Sequence, residues 1–169
     1  MLTEEMTSLR FDSQQCVIIL DQMVLQFRLI EGNYPSYNAI IPKEFLHFVF
    51  VDRHELLYAL NSVSPFSPTT SKMVVLNFSK DKLTIRSDNY EDESGAEHTI
   101  TTTDYEGNDI AVGMNASTLS TMLQKLESRN VHINMTDETR AVVIDPEDKD
   151  IDGDITCLIM PMLLTEQGT

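Results

Sequence analysis

Short apolar runs separated by turn residues make up the first thirty positions of the chain. Their length and their content of β-branched and aromatic residues are typical of strands. They cover residues 9–11, 16–20 and 23–30. Polar pairs, Gln14-Gln15 and Asp21-Gln22, mark the turns between them. Because three short strands bury too little surface for an independent core, we expect a meander that needs partners, in a sequence that is part of a longer protein.

A continuous apolar run at residues 45–51 starts a second pattern, in which strands alternate with helices. Asp52 is a suitable helix N-cap, and Glu55 follows it at the spacing of a capping box. Apolar residues then recur at helical spacing until Pro65. They are Leu56, Leu57, Leu60 and Val63. The pattern predicts an amphipathic helix that starts after Asp52 and ends before Pro65.

A second helix is predicted after Asn115, which is another suitable N-cap. Its apolar stripe consists of Leu119, Met122, Leu123 and Leu126. Further strands are predicted over residues 73–78, 83–87, 98–105, 109–114, 131–135, 141–144 and 156–160. The element order is therefore a β-α-β-β-β unit that occurs twice. It predicts an α+β domain of two helices backed by antiparallel sheets.

Composition and charge narrow the functional classes. The chain has 169 residues, is 41% hydrophobic and carries a formal net charge of −15, which argues against a surface that coats nucleic acid. The first ten residues are polar and acidic, unlike a secretory signal peptide. No stretch approaches the roughly 18 apolar residues of a membrane span. We expect a cytoplasmic protein in which Cys16 and Cys157 are buried, reduced thiols.

Residues 148–153 are the one stretch that suggests metal chemistry. Asp148, Asp150 and Asp152 alternate before Gly153, as in the first half of a calcium-binding loop. The twelfth position of such a loop requires a bidentate Glu, and here it is Ile159. The pattern therefore favours a solvated acidic hairpin turn. The alternative is a calcium- or metal-dependent protein that uses residues 145–154.

Two segments at opposite ends of the chain resemble one known family. They are RLIEGNYPSYNAIIP at residues 28–42 and LIMPMLL at residues 158–164. In this order and separation they are similar to the bacterial DNA polymerase III β subunit, the β sliding clamp. The resemblance implies that residues 1–42 are the C-terminal part of the clamp middle domain, truncated here. Residues 43–164 would then be the third domain, and residues 165–169 a tail.

The resemblance implies a DNA polymerase processivity factor that is not an enzyme and needs no cofactor or metal. Such a clamp encircles duplex DNA without reading its sequence. It recruits the polymerase III catalytic subunit, the clamp loader and repair polymerases through their short linear motifs, and it is a cytoplasmic homodimer with no membrane partner. A stand-alone peptide-binding module is a further alternative.

The family also implies a hydrophobic peptide-binding cleft between the middle and third domains. Its walls in this sequence would be Pro35, Ala39, Ile40, Asn115, Thr118, Ala141, Leu158, Ile159, Met160, Pro161, Met162 and Leu163. Methionine suits a cleft that accepts several partners, because its side chain adapts to different shapes. Many family members carry a basic or aromatic side chain where this sequence has Ala39, Thr118 and Leu163, so its polar contacts to a peptide should differ.

Two further surfaces follow from the same resemblance. Cations on the helices would face DNA, and the candidates are Arg53, Lys125 and Arg129. The ring-closing surface would include Phe66, His98, Ile100, Thr102 and Asp104. The residues alone leave alternatives open at both places, since the cations are also ordinary solvated helix charges and Phe66 also fits a loop folded onto its own domain.

Overall fold

The computed structural model describes residues 8–20, 22–34, 36–89, 93–101 and 104–164. The chain forms two compact units, Met1–Ser36 and Tyr37–Thr169. The sequence predicts a domain boundary after Pro42, several residues beyond the division between these units. That assignment concerns the relation to the clamp domains, and it stays a prediction.

The described part of the first unit is an antiparallel meander of three strands, which confirms the predicted order. Its strands are β1 (Ser8–Phe11), β2 (Gln15–Leu20) and β3 (Met23–Arg28). The turn between β1 and β2 is held by the Asp12 carboxylate, which accepts hydrogen bonds from the backbone N–H groups of Gln14 and Gln15 at 2.7 and 2.8 Å. Of the described residues in this unit, Cys16 alone is buried. The meander therefore has no core of its own.

In its described residues, the second unit contains two antiparallel sheets and three α-helices. Its elements are β4 (His47–Asp52), α1 (Arg53–Val63), β5 (Met73–Ser79), β6 (Lys82–Asn89), β7 (Ser94–Thr101), β8 (Asp104–Glu106), β9 (Ile110–Asn115), α2 (Ala116–Lys125), β10 (Asn130–Met135), β11 (Val142–Pro146), α3 (Lys149–Asp152) and β12 (Cys157–Ile159). One sheet has the order β12-β11-β10-β4-β8, and the other has the order β7-β6-β5-β9.

The predicted doubling of a β-α-β-β-β unit is confirmed. The first copy runs from β4 through α1 to β7, and the second runs from β9 through α2 to β12. The first strand of each copy belongs to the sheet that the other copy forms. β4 pairs with β10 of the second copy, and β9 pairs with β5 of the first copy. The two copies are thereby joined through both sheets into one α+β domain.

The single strand predicted over residues 98–105 is wrong. β7 ends at Thr101 and lies at the edge of the four-stranded sheet, whereas β8 begins at Asp104 and pairs with β4 in the other sheet. The apolar and polar alternation of this run indicates strand structure on either side of the division. It carries no information about which sheet each part joins.

The two predicted helices, α1 and α2, begin at the predicted caps. The Asp52 carboxylate accepts hydrogen bonds from the backbone N–H groups of His54 and Glu55, and the Asn115 side chain accepts one from Thr118 N–H. The predicted apolar stripes pack into the hydrophobic core, with Leu57 and Met122 partly buried. The fully enclosed members are Leu56, Leu60, Val63, Leu119 and Leu123. No described helix is long and apolar enough to cross a membrane.

The acidic segment after β11 contains a helical turn, α3, where the sequence favours a simple hairpin turn. Asp148 caps this turn by accepting from the backbone N–H groups of Asp150 and Ile151. The Asp152 carboxylate accepts from the backbone N–H groups of Glu127 and Ser128 at 2.7 and 2.8 Å. Within the described ranges, no group of three or more His, Cys, Asp or Glu residues is arranged to hold a metal ion.

Both cysteines are free thiols. Cys16 is buried as predicted, but Cys157 is only half-buried because β12 is the edge strand of its sheet. Burial raises the pKa of the Cys157 thiol above its usual range, and the nearby carboxylates of Asp145 and Asp152 raise it further. The thiol is therefore protonated at neutral pH.

Candidate functional site

A groove of about 580 Å³ lies beside the start of the second unit. Three segments line it: residues 38–43, the connection between β10 and β11, and the residue after β12. The lining residues are Asn38, Ala39, Ile40, Ile41, Pro42, Lys43, Thr139, Arg140, Ala141 and Met160. The groove thus brings together four residues of the predicted cleft, namely Ala39, Ile40, Ala141 and Met160.

Backbone hydrogen bonds fix the first wall. Residues Tyr37–Ala39 form a 3-10 turn, and the N–H groups of Ile40 and Ile41 both donate to Tyr37 O, at 2.9 and 3.2 Å. The hydroxyl of Thr136 then donates to Glu44 O at 2.7 Å. This bond ties the wall to the β10–β11 connection, so the two sides of the groove are held at a set separation.

The second wall is a tight turn organised by Asp137. One carboxylate oxygen accepts hydrogen bonds from the N–H and the hydroxyl of Thr139 and from Arg140 N–H, at 2.7 to 2.9 Å. The other oxygen pairs with Arg140 Nε at 3.3 Å. These hydrogen bonds, with Thr139 first, lower the pKa of Asp137, because they stabilise its charged form.

The groove is lined by both apolar and charged side chains. Ile40 and Met160 leave about half of their side chains exposed, whereas Ala141 is buried. Exposed apolar side chains in a concave site offer favourable burial to an apolar ligand. Lys43 and Arg140 are exposed at the same groove. The arrangement therefore suits a short segment that carries both apolar and polar groups.

The C-terminal segment crosses from one sheet to the other. β12 pairs with β11, and the N–H of Met162 then donates to Gly113 O on β9 at 2.8 Å. A Cβ atom at Gly113 would lie 2.7 Å from Met162 O, so this approach of two backbones requires glycine. Leu158, Pro161 and Met162 are half-buried along this path, and Leu163 is exposed beyond it.

The other residues of the predicted cleft lie outside the groove. Ile159 packs into the core, so its predicted place in a cleft wall is wrong: β12 turns that side chain inward. Asn115 caps α2 and donates to Ser71 O at 2.9 Å, and Thr118 is exposed on the first turn of α2. Pro35 lies outside the described residues.

Sequence reasoning missed six lining residues. They are Asn38, Ile41, Pro42, Lys43, Thr139 and Arg140. Three of them lie within the RLIEGNYPSYNAIIP segment, so that segment already carried the signal. The spacing of Asp137 and Thr139 is typical of a turn in which an Asp side chain holds the backbone two residues later, and it was the available signal for the second wall.

Arg53 does not have the predicted exposure. Its side chain is buried, at 8% exposure, and its Nε and Nη1 donate to Ser128 O and Leu123 O at 2.7 and 3.2 Å. The guanidinium therefore satisfies carbonyls at the end of α2, where a helix leaves such groups without partners. The prediction that Arg53 faces DNA is wrong for this reason.

The other two predicted cations are at the surface. Lys125 is exposed in the last turn of α2. Arg129 is exposed and pairs through Nε with the Asp52 carboxylate at 3.2 Å. Burial acts to raise the pKa of Asp52, but hydrogen bonds from Glu55 N–H, Arg129 and His54 N–H outweigh it and lower the pKa.

A second cavity, of about 460 Å³, lies between the end of α1 and the face of α2. Its lining is rich in hydroxyl and amide groups and contains one lysine. The polar members include Asn61, Ser64, Ser67, Ser117, Thr121, Gln124 and Lys72. The helices therefore present a largely neutral polar surface on this side.

The predicted ring-closing residues are split between two sheets. Phe66 is exposed at the end of the 3-10 turn Ser64–Phe66, and His98 lies on edge strand β7, 3.3 Å from the Ser62 hydroxyl. Ile100 packs into the core, so its side chain is not available for an interface, contrary to the prediction. Asp104 lies on β8 of the other sheet, and Thr102 is not among the described residues.

Comparisons with known proteins agree with this architecture. The protein-family model described as DNA polymerase III beta subunit, C-terminal domain, matches residues 38–163. The chain is 27% identical over 164 residues to a beta sliding clamp of Synechococcus elongatus, which covers 96% of this chain and 42% of the relative. It is 26% identical over 161 residues to the beta sliding clamp of Haemophilus influenzae, with 95% and 43% coverage.

A solved structure gives the same result for the fold. The DNA polymerase III subunit beta of Pseudomonas aeruginosa superimposes with a TM-score of 0.82 at 22% identity, over 94% of this chain and 42% of that one. The chain thus spans less than half the length of these relatives. The two helices, the exchanged strands and the match over most of the second unit lead to one assignment. The chain belongs to the family of the DNA polymerase III beta subunit, with its second unit as the C-terminal domain of that family.

Proposed function

We propose that this chain is part of a DNA polymerase processivity factor, a sliding clamp that encircles duplex DNA and recruits replication proteins. The observation that carries the proposal is the family match over residues 38–163, the range that also contains the groove. The clamp acts by topological tethering and has no catalytic residues. It works in the cytoplasm as a closed homodimer.

The domain organisation is part of the same proposal. Residues 1–42 correspond to the end of the clamp middle domain, residues 43–164 to the third domain and residues 165–169 to a tail. The exposed apolar side chains of the first unit support this reading. Leu9, Phe11, Val24, Leu25 and Phe27 lie on its strands with much of their surface in water. Such side chains are expected where further strands of a domain would pack.

The groove is the proposed docking site for the linear motifs of polymerases, the clamp loader and repair polymerases. Ile40 and Met160 offer the apolar contacts, and the adaptable Met side chain fits more than one partner. The predicted cleft residues along the crossing segment, Met162 and Leu163, extend this surface beyond the groove itself. Pro35, Asn115 and Thr118 stay predictions for the same surface.

The helices are the proposed DNA-facing elements. The exposed residues of α1 and α2 are largely neutral. The predicted cations that remain after the correction for Arg53 are Lys125 on α2 and Arg129, which lies in the connection between α2 and β10 and not on the helix as predicted. Each phosphate that a protein neutralises adds affinity for DNA, so a sparsely charged surface suits a ring that has to slide.

Edge strand β7, with His98 and the nearby Phe66, is the proposed surface for ring closure, because an unpaired strand edge can continue its sheet into another subunit.

The test is binding of a fluorescent pentapeptide of the Gln-Leu-x-Leu-Phe type to the 169-residue chain. Ile40→Ala and Met160→Ala each remove apolar surface from the groove and should raise the Kd about fivefold to twentyfold. Ile40 and Met160 are 48% and 55% exposed, so matched controls exist elsewhere in the chain. Ile155→Ala and Met23→Ala, at residues 44% and 53% exposed, should leave the Kd unchanged.

The proposal fails if the peptide shows no saturable binding, or if the groove variants and the controls behave alike. In the first case the groove does not bind such motifs. In the second case binding occurs at another surface of the chain.

A further inference from the structure

Strand β4 is apolar on both faces, although only one of them lies in the core. Residues 45–51 form a continuous apolar run, which is typical of a strand that is covered on both sides. Val49 and Val51 are buried, whereas Phe48 is 40% exposed and Phe50 is half-buried on the opposite face. Exposed apolar patches mark surfaces where another molecule packs. The core therefore does not account for these two rings.

The two rings line a groove of about 660 Å³ that involves three strands, β4, β8 and β10. We call it the aromatic-acidic groove. Its lining residues are Phe48, Val49, Phe50, Asp104, Tyr105, Glu106 and His132. Asp104 and Glu106 are exposed on β8, the edge strand of the sheet, and they give the groove its negative charge.

Strand register arranges the side chains of the aromatic-acidic groove in two rows. Phe50 lies opposite Asp104 on β8 and His132 on β10. Phe48 lies opposite Glu106 on β8. Residues directly opposite each other share one face of the sheet, with Cβ atoms about 4.5–5.5 Å apart. Each ring therefore has a carboxylate beside it.

Neighbouring rings contact both phenylalanines. Phe45 meets Phe48 edge to face, with ring centroids 6.3 Å apart at 74°. The His132 ring lies 4.9 Å from the Phe50 ring at 57°. The exposed Glu106 carboxylate has no hydrogen-bond or ion-pair partner among the described residues, so it can accept one from outside the chain.

A ring beside a carboxylate can bind a guanidinium group in two ways at once. The ring face attracts a cation within about 6 Å of its centroid. The carboxylate accepts paired hydrogen bonds from the planar guanidinium, which also stacks on aromatic rings. Side chains two residues apart on a strand are about 6.7 Å apart. The two rows therefore match an extended segment that carries arginine at alternate positions.

We propose that the aromatic-acidic groove docks a basic segment of a partner protein with the pattern Arg-x-Arg. Each arginine packs on one ring and pairs with the carboxylate of the same row. A second copy of this chain is disfavoured as the occupant because its net charge is −15, and DNA is disfavoured because its phosphates would face carboxylates. The proposal is independent of the groove at residues 38–43.

The experiment measures the binding of three labelled, end-capped peptides to the 169-residue chain by fluorescence anisotropy in 50 mM salt. They are Ser-Arg-Ser-Arg-Ser-Gly, its isomer Ser-Arg-Arg-Ser-Ser-Gly, and Ser-Gln-Ser-Gln-Ser-Gly. The alternating peptide should bind saturably, about threefold more tightly than the isomer and about tenfold more tightly than the Gln peptide. The isomer has the same charge, so it controls for diffuse attraction to an acidic protein.

Glu106→Gln and Phe48→Leu should each raise the Kd of the alternating peptide about twofold to fivefold. Two matched variants lie outside the aromatic-acidic groove. Glu97→Gln removes one charge from an exposed position of β7, and Phe66→Leu replaces a ring that is 41% exposed. Both should leave the Kd unchanged. Thermal melting of each variant checks that its fold is intact.

Three results would overturn the proposal. The first is an absence of saturable binding by the alternating peptide. The second is equal affinity for the isomer, which would refute the match to two rows. The third is an equal loss in the groove variants and the matched variants, which would show diffuse attraction. Binding of the Gln-Leu-x-Leu-Phe peptide should not change in Glu106→Gln or Phe48→Leu, so the two sites are tested separately.

Discussion

The two units of this chain use the same kind of residue in opposite ways. In the first unit, strand residues such as Val24 and Phe27 stay largely in water. In the second unit, residues such as Leu119 and Ile133 have almost no exposed surface. Both units pair their strands through antiparallel hydrogen bonding. Pairing alone therefore does not produce a core.

The difference in burial between the two units comes from the helices packed on the sheets of the second unit rather than from the hydrophobic content of the strands. A three-stranded sheet that no other layer of its own unit covers exposes its side chains whatever their chemistry. The second unit covers both sheets with α1 and α2, which carry apolar stripes of matching spacing. Hydrophobic stabilisation is proportional to the apolar area removed from water, so it is concentrated in the second unit.

The largest expected effect tests this comparison directly with one substitution in each unit. Leu119→Ala removes a side chain with no exposed surface and should lower the free energy of unfolding of the second unit by about 2.7–5 kcal/mol. Leu25→Ala removes the same atoms from a side chain that is 44% exposed and should cost about 0.5 kcal/mol or less. Urea denaturation followed by circular dichroism measures both, and equal losses would contradict the comparison.

A smaller effect is expected when a polar anchor is removed. Arg53→Gln leaves the carbonyls of Leu123 and Ser128 without a charged donor and should cost about 1.5–3 kcal/mol. Arg28→Gln, at an exposed position of β3, should stay within about 0.5 kcal/mol.

Arg53→Lys gives a second readout. It should recover only part of the loss, because a single ammonium does not reproduce the fork of the guanidinium. Full recovery would show that charge alone, and not the bonds to separate carbonyls, stabilises the end of α2.

The smallest effect is a pH dependence, for which we compare one aspartate from each unit, Asp152 and Asp12. Burial acts to raise the pKa of Asp152, but hydrogen bonds from Ser128 and Glu127 and the charge of Arg53 outweigh it, so the net pKa is lowered. The N–H groups of Gln14 and Gln15 lower the pKa of Asp12. A carboxylate with a lowered folded-state pKa stabilises the fold above its unfolded pKa, about 3.9, and this stability disappears as the pH falls through the folded pKa.

Thermal melting between pH 2.5 and pH 7 tests the assignment. The difference in Tm between the wild type and Asp152→Asn should be largest above pH 5 and should shrink as the pH falls toward 2.5. Asp12→Asn should not change the melting of the second unit at any pH. A difference for Asp152→Asn that is independent of pH would mean that its charge is not the stabilising feature.

Local features of the fold were predictable because their causes are local. Asp52 and Asn115 cap helices through N–H groups two or three residues away, and that geometry is contained in a short window of sequence. The stripes that include Leu56 and Leu119 follow from helical periodicity in the same way. Part of the groove was also predictable, because Ala39 and Ile40 lie in the segment that resembles the family.

Features that depend on distant partners were not predictable from the residues. Arg53 has the pattern of an exposed helix charge, and the carbonyl that makes it a buried anchor is 75 positions away. Ile100 and Asp104 have the pattern of one strand, but they belong to different sheets. In each case the chain position is compatible with two environments, and only the packing of another element selects one.

The sequence by itself determined the caps, the stripes, most of the order of elements along the chain and the family, because these depend on residue type and on spacing along the chain. The tertiary structure alone decided which cations are buried and which face the groove. Lys43 and Arg140 are almost a hundred positions apart, and the bond between Thr136 and Glu44 holds their segments together. The physical reason is that the environment of a charge is set by its neighbours in space, which the spacing along the chain does not encode.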